Sequence, residues 1–135
     1  MRDPERIEAQ LWLDRAQDDL GSATKLLRGR DPYPATAAYH CQQAAEKALK
    51  AVLAGARQQV PKTHDLRVLV ERAALIDPRL LTLQDLAEQL TPLATEYRYP
   101  SDLPDPTPDE ARQALAMARD FCTFVAEHIS GTSDA

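Results

Sequence analysis

Residues 39–51 read Tyr39-His40-Cys41-Gln42-Gln43-Ala44-Ala45-Glu46-Lys47-Ala48-Leu49-Lys50-Ala51, and this run decides the fold. Ala38, Cys41, Ala45, Ala48, Val52 and Ala56 recur at helical steps around it, which puts a stripe of small apolar residues on one face of a helix over about 35–56. Small side chains let a neighbouring helix approach closely. The other side of the helix is polar. Tyr39 or His40, Gln43 and Lys47 lie three and four residues apart, so they share a face. Such a row can offer a stacking surface, an amide and an ammonium to one ligand. It can equally serve as a hydrogen-bonded network between helices, beside a solvated Glu46–Lys50 pair.

The flanks repeat the helical pattern. Ala9, Leu13, Ala16, Leu20, Ala23 and Leu27 step by four, three, four, three and four, so a first helix is expected over about 4–27. Gly29 and prolines 32 and 34 separate it from the second. Gly55 and Pro61 mark the end of the second helix. A third is expected over about 65–76, with Leu66, Leu69, Val70, Ala73 and Ile76 inward, stopped by Asp77-Pro78. A fourth begins near Pro78 and carries Leu83, Leu86, Leu90 and Leu93, with a kink or restart at Thr91-Pro92 because proline removes a hydrogen bond and clashes with the preceding turn. Residues 97–106 read as a loop. Thr107-Pro108-Asp109-Glu110 is a capping box with proline at the first helical position. Ala111, Leu115, Ala118, Cys122, Val125 and Ile129 then repeat the step of the first helix. The expected architecture is all-α, a five-helix up-and-down bundle in one domain over 1–130, followed by a frayed tail over 131–135.

Composition agrees with this reading. The chain has 135 residues, 44% apolar and 27% charged, with 5% aromatics; Ala and Leu dominate, and both favour helix. Net charge is −5 and unevenly placed. Residues 1–67 carry eleven Lys/Arg against nine Asp/Glu, whereas residues 68–135 carry five against twelve. An acidic chain is a poor non-specific binder of nucleic acid, which needs a basic surface. Cys41 and Cys122 both fall on apolar helical faces and are expected as buried, reduced thiols. No apolar run follows Met1 and no stretch approaches a membrane span, so a cytoplasmic protein without membrane attachment is expected.

Familiar catalytic and cofactor signatures do not occur. No glycine-rich phosphate loop is present, no metal-ligand spacing is found, and His40 and Cys41 diverge by about 100° around the helix. Catalytic residues, metal and cofactor are therefore all expected to be none. Two further polar segments stand out. In Thr63-His64-Asp65-Leu66, Thr63 or Asp65 can cap the third helix and His64 can tether the loop or meet a ligand. In Tyr97-Arg98-Tyr99-Pro100-Ser101-Asp102, Arg98 can hold a phosphate beside a stacking tyrosine, or pair with Glu96 or Asp102 and pin the loop.

These three segments, His40 to Ala51, Pro61 to Leu66 and Tyr97 to Asp102, in this order, resemble the HEPN domain family, with the Gln-Gln-Ala-Ala-Glu-Lys run at 42–47 the most specific part. The likeness extends from the first helix to about Ile129. It implies a five-helix bundle that commonly forms homodimers, proposed nucleotide binding, and, among similar bacterial members, action beside a minimal nucleotidyltransferase, some pairs resembling toxin–antitoxin systems. The binding residues so implied are Tyr39, His40, Gln43, Lys47, His64, Tyr97, Arg98, Tyr99 and Asp102.

A second branch of the family consists of metal-independent ribonucleases marked by an Arg followed, after four to six residues, by a His. Arg98 stands like that Arg, but Leu103, Pro104 and Asp105 occupy the positions for the His. No general base stands there, so RNA cleavage by that route is disfavoured. Arg57 and His64 have the formal spacing, in the connection after the second helix, and read as a chance match. The leading expectation is thus a non-catalytic nucleotide- or partner-binding module. A ribonuclease toxin using Arg98 with His64 or His40 as a substitute base, or a purely structural dimer, are the alternatives. The sequence identifies neither nucleotide nor partner.

Overall fold

The computed structural model describes residues 3–93 and 104–133, with side chains to Ile129. Five α-helices follow one another: α1 (Pro4–Leu26), α2 (Pro34–Gly55), α3 (Leu66–Ala74), α4 (Gln84–Leu90) and α5 (Pro108–Ser133), with no strand among the described residues. The expected all-α bundle is the fold.

Helix α2 is its axis. It packs most extensively on α1, then on α5 and α3, and its faces are buried almost all round. The small residues permit this. Ala37, Ala38, Cys41, Ala44, Ala45, Ala48 and Ala51 are all sealed from solvent. At Gly55 an added Cβ would sit 3.4 Å from the Cβ of Ala9, so α1 and α2 nearly touch there. Larger side chains, Leu49, Leu53, Leu66, Leu69, Leu80, Leu90 and Phe121, fill the spaces between helices.

Helix ends follow their local chemistry. Pro4 and Pro34 open α1 and α2 from the first turn, where a missing N–H costs nothing. Asp65 caps α3, its carboxylate accepting from the Arg67 N–H at 3.0 Å, while Thr63 Oγ1 accepts from the Asp65 N–H at 3.1 Å. Before α5, the Glu110 N–H donates to Thr107 Oγ1 at 3.1 Å and the Thr107 N–H donates to Glu110 Oε1 at 2.9 Å. This is the reciprocal pair that the capping box requires. After α2, the Gln58 N–H reaches the Leu53 carbonyl at 2.9 Å and the Arg57 N–H reaches that of Ala54 at 3.1 Å. That pairing needs a left-handed residue between them. Arg57 takes it, at φ 60°, and its guanidinium is held by Glu5 at 2.5 Å.

Several boundaries differ from expectation. The segment from Pro78 is a 3₁₀ turn to Leu83, a short α4, and a second 3₁₀ turn over Thr91–Leu93. Pro92 has no N–H to continue α4, and the Thr91 hydroxyl joins its own backbone N–H on the Ala87 carbonyl, at 2.8 Å. Helix α3 stops at Ala74, so Ile76, expected inward, is exposed, and Leu75 is 87% exposed. The turn that carries the chain into Asp77-Pro78 rotates both away from the core. Helix α5 continues through Gly131 to Ser133, past the point where a frayed tail was expected; glycine costs a helix only about 1 kcal/mol and does not forbid it. Cys41 and Cys122 are free and buried as expected, and burial pushes both thiols up to about 12.

Three outcomes follow from this frame. Iodoacetamide at pH 8 should label neither cysteine in the folded protein and both after denaturation, counted by intact mass. Arg57→Gly should raise stability by up to about 1 kcal/mol, because the left-handed strain outweighs an exposed ion pair; urea melts measure it. Asp77 caps the Pro78 turn and accepts from Arg79 Nε and Nη2 at 3.0 and 2.8 Å, which lowers its carboxyl below the usual carboxylate range. Its contribution is therefore present above about pH 4 and is lost as pH falls through the lowered value. Asp77→Ala should cost about 1 kcal/mol at neutral pH and flatten the acid limb of a pH–stability curve.

Candidate functional site

The polar row of α2 is built around two buried carboxylates. The first is Asp19 of α1. Its Oδ1 lies 2.8 Å from His40 Nδ1 and its Oδ2 accepts from Lys47 Nζ at 2.6 Å. Asp19 has only 9% of its side chain exposed, whereas His40 and Lys47 keep 28% and 25%. One buried acid thus fixes an imidazole and an ammonium whose outer parts still meet solvent. Tyr39 stands edge-on to the His40 ring at 5.7 Å.

The second carboxylate is Glu46, on α2 itself. Oε2 accepts from Lys50 Nζ at 2.9 Å and Oε1 lies 2.7 Å from His64 Nδ1. Gln42 Nε2 donates to the His64 carbonyl at 3.0 Å, with a longer 3.4 Å contact to Glu46 Oε1, and Gln43 Nε2 donates to Gln42 Oε1 at 2.7 Å. The Lys50 ammonium also lies 5.8 Å from the centre of the Trp12 ring on α1, within cation–π range. The Glu46–Lys50 pair, expected to be solvated, is buried on both sides. Desolvating an ion pair is expensive, and the histidine, the glutamine and the indole offset that cost.

The network gives each residue of the Gln-Gln-Ala-Ala-Glu-Lys run a physical task. Gln42 ties α2 to the loop before α3, Gln43 orients Gln42, and Ala44 and Ala45 admit neighbouring helices. Glu46 binds that loop through His64, and Lys47 reaches across to α1. Tyr39, His40, Gln43, Lys47 and His64 therefore do not converge on one open space. His40 and Lys47 meet at Asp19, His64 joins Glu46 elsewhere, and Gln43 is buried against Gln42. Arg57 and His64 are held by different acids, Glu5 and Glu46, in keeping with a chance spacing. Tyr97, Arg98, Tyr99 and Asp102 lie outside the described residues.

Asp19 and Trp12 were not singled out from the sequence, while Gln42 and Glu46 stood out only as members of the 42–47 run, with Glu46 read as half of a solvated pair with Lys50. Asp19 did carry a signal: it lies three residues after Ala16 and four before Ala23, so an acid sits at the spacing of the buried face. No group of three or more His, Cys, Asp or Glu side chains able to hold a metal occurs among the described residues, and no helix there is long and apolar enough to cross a membrane.

The HEPN domain profile matches residues 9–129. The chain belongs to the HEPN domain family. It is also similar to the crystal structure of TT1696 from Thermus thermophilus, with 33% identity over 89% of this chain and 97% of that one, at a TM-score of 0.70. No curated protein matches it. Both carboxylate clusters of this HEPN domain lie inside the matched span, so they belong to the part of the chain that carries the family likeness.

The two clusters differ in how much they bear. Glu46→Ala leaves the Lys50 ammonium buried without its acid and should cost about 3–5 kcal/mol. Restoring neutrality with Lys50→Met in the same chain should recover much of that loss. Lys47→Ala, on the more exposed cluster, should cost about 1–3 kcal/mol, because Asp19 keeps only His40. Denaturant melts of the four proteins test this ranking.

Proposed function

We propose that this HEPN domain is a non-catalytic binding module: it takes a nucleotidyltransferase-fold protein as its partner and a nucleotide as its ligand, within a toxin–antitoxin pair. The observation that carries this reading is the Asp19 cluster. A buried acid holds His40 and Lys47 in place while both remain accessible, and polar groups fixed before binding lose little entropy when a partner arrives. Family membership adds weight through the kinds of protein this sequence resembles.

In this assignment His40 and Lys47 are the polar contacts and Tyr39 the stacking surface. Arg98 supplies the phosphate contact, with Tyr97, Tyr99 and Asp102 around it, on the strength of the resemblance. Gln43 acts behind the surface and His64, held by Glu46, at its edge, and the two keep α2 and the loop before α3 in register. The module works as a cytoplasmic homodimer and needs no metal or cofactor.

Because Lys47→Ala also uncovers Asp19, the clean test removes both charges together. Asp19→Asn with Lys47→Gln keeps a hydrogen-bonding pair and loses the ammonium. The double variant should melt within a few degrees of the parent and bind a minimal nucleotidyltransferase from the same genome, or ATP and GTP, at least tenfold more weakly by calorimetry. A parent protein that binds none of these, or a double variant that binds as well as the parent, overturns the assignment.

A further inference from the structure

On the other flank of α1's buried stripe from Asp19, α1 and α5 part to leave a groove of roughly 400 Å³ lined by Gln17, Leu20, Gly21, Thr24, Arg119 and Thr123. We infer that this groove is a phosphate-binding subsite organised by Arg119, on a face separate from the His40–Lys47 edge.

The argument starts from how Arg119 is held. Its Nη2 donates to Thr24 Oγ1 at 2.8 Å, and that hydroxyl spends its own hydrogen on the Leu20 carbonyl at 2.8 Å. The guanidinium is thus fixed across two helices by a neutral acceptor. Four arginines elsewhere on the surface, Arg57, Arg67, Arg79 and Arg112, are held by carboxylates instead. A carboxylate would cancel the charge; a hydroxyl leaves it intact. The charge is felt inside the bundle, where Arg119 works against the burial that raises the Cys41 thiol. Asp18 and Asp120 neighbour the groove in sequence, but neither lines it.

The remaining N–H donors of Arg119 form a planar fork suited to an oxyanion. The Gln17 amide and the Thr123 hydroxyl add donors from the two walls. Donors on separate helices suit an ion with more than two oxygens, which favours phosphate over carboxylate. The groove is also far larger than one carboxylate needs. At Gly21 an added Cβ would meet nothing within 4 Å, so the wall there is backbone facing open space.

The glycine also provides a test that separates binding from folding. Gly21→Leu should be tolerated by the helix, since leucine is the better helix former, while its side chain fills the groove. Calorimetric titration of the purified full chain with sodium pyrophosphate and with AMP, against succinate and sodium chloride at matched ionic strength, gives the readout. Both phosphate compounds should bind and the two controls should not. Arg119→Gln and Gly21→Leu should each weaken binding at least tenfold with melting temperatures no more than a few degrees lower, whereas Arg112→Gln, at an exposed arginine already paired with Asp109, should bind as the parent does. No binding by the parent, equal binding of succinate, or parent-like binding by either Arg119→Gln or Gly21→Leu overturns the subsite. The nucleotidyltransferase assignment rests on the Lys47 edge and does not fall with the groove, whereas a parent that binds neither AMP, ATP nor GTP overturns the nucleotide ligand at both sites.

Discussion

Glu46 is a carboxylate on a helix with almost no solvent around it, and it has to be neutralised where it stands. That requirement organises much of the molecule. Lys50 answers it from one turn further along the same helix. His64 answers from the loop before α3, and in doing so fixes where that loop crosses α2. Trp12 shields the far side of the ammonium and adds a contact from α1. A wholly apolar α2 would pack as well or better. The acid instead ties α2 to the loop before α3 through His64 and, through Lys50 and the Trp12 ring, to α1.

Asp19 repeats the logic on the opposite partner. There the acid comes from α1 and the bases from α2, so charge pairs across the α1–α2 seam at Asp19, whereas Glu46 pairs within α2 and with the loop before α3. The difference lies in the ammonium groups: Lys50 is buried beside Glu46, whereas Lys47 beside Asp19 keeps a quarter of its side chain exposed. Both clusters retain a partly exposed imidazole, His64 at Glu46 and His40 at Asp19. A buried ion pair and a partly exposed one therefore share one helix and one sequence run.

The helices were legible because apolar residues recur at steps of three and four and because caps are local. The Thr107–Glu110 box needs nothing beyond its own four residues, and it forms as read. The division after Pro78 was harder to read, since proline at 92 announces a break without saying which side turns into 3₁₀ structure. The candidate site was legible by residue type and not by grouping. His40, Gln43 and Lys47 share a face on spacing alone, but Asp19, which holds His40 and Lys47, and Trp12, which faces Lys50, lie on a different helix, and His64 lies in a loop tied to Glu46. Partners so distant in sequence are invisible to a helical period. Asp19 was the exception that spacing could have revealed, as an acid among alanines on an inward face.

Thr91 has a consequence that reaches beyond its own turn. Its hydroxyl donates to the last turn of α4 and accepts the N–H of Leu66, the first residue of α3. One side-chain oxygen therefore closes the end of one helix and the beginning of another. Opening either end thus withdraws a hydrogen-bond partner from the other, and the two short helices are joined end to start through one hydroxyl as well as through their packing.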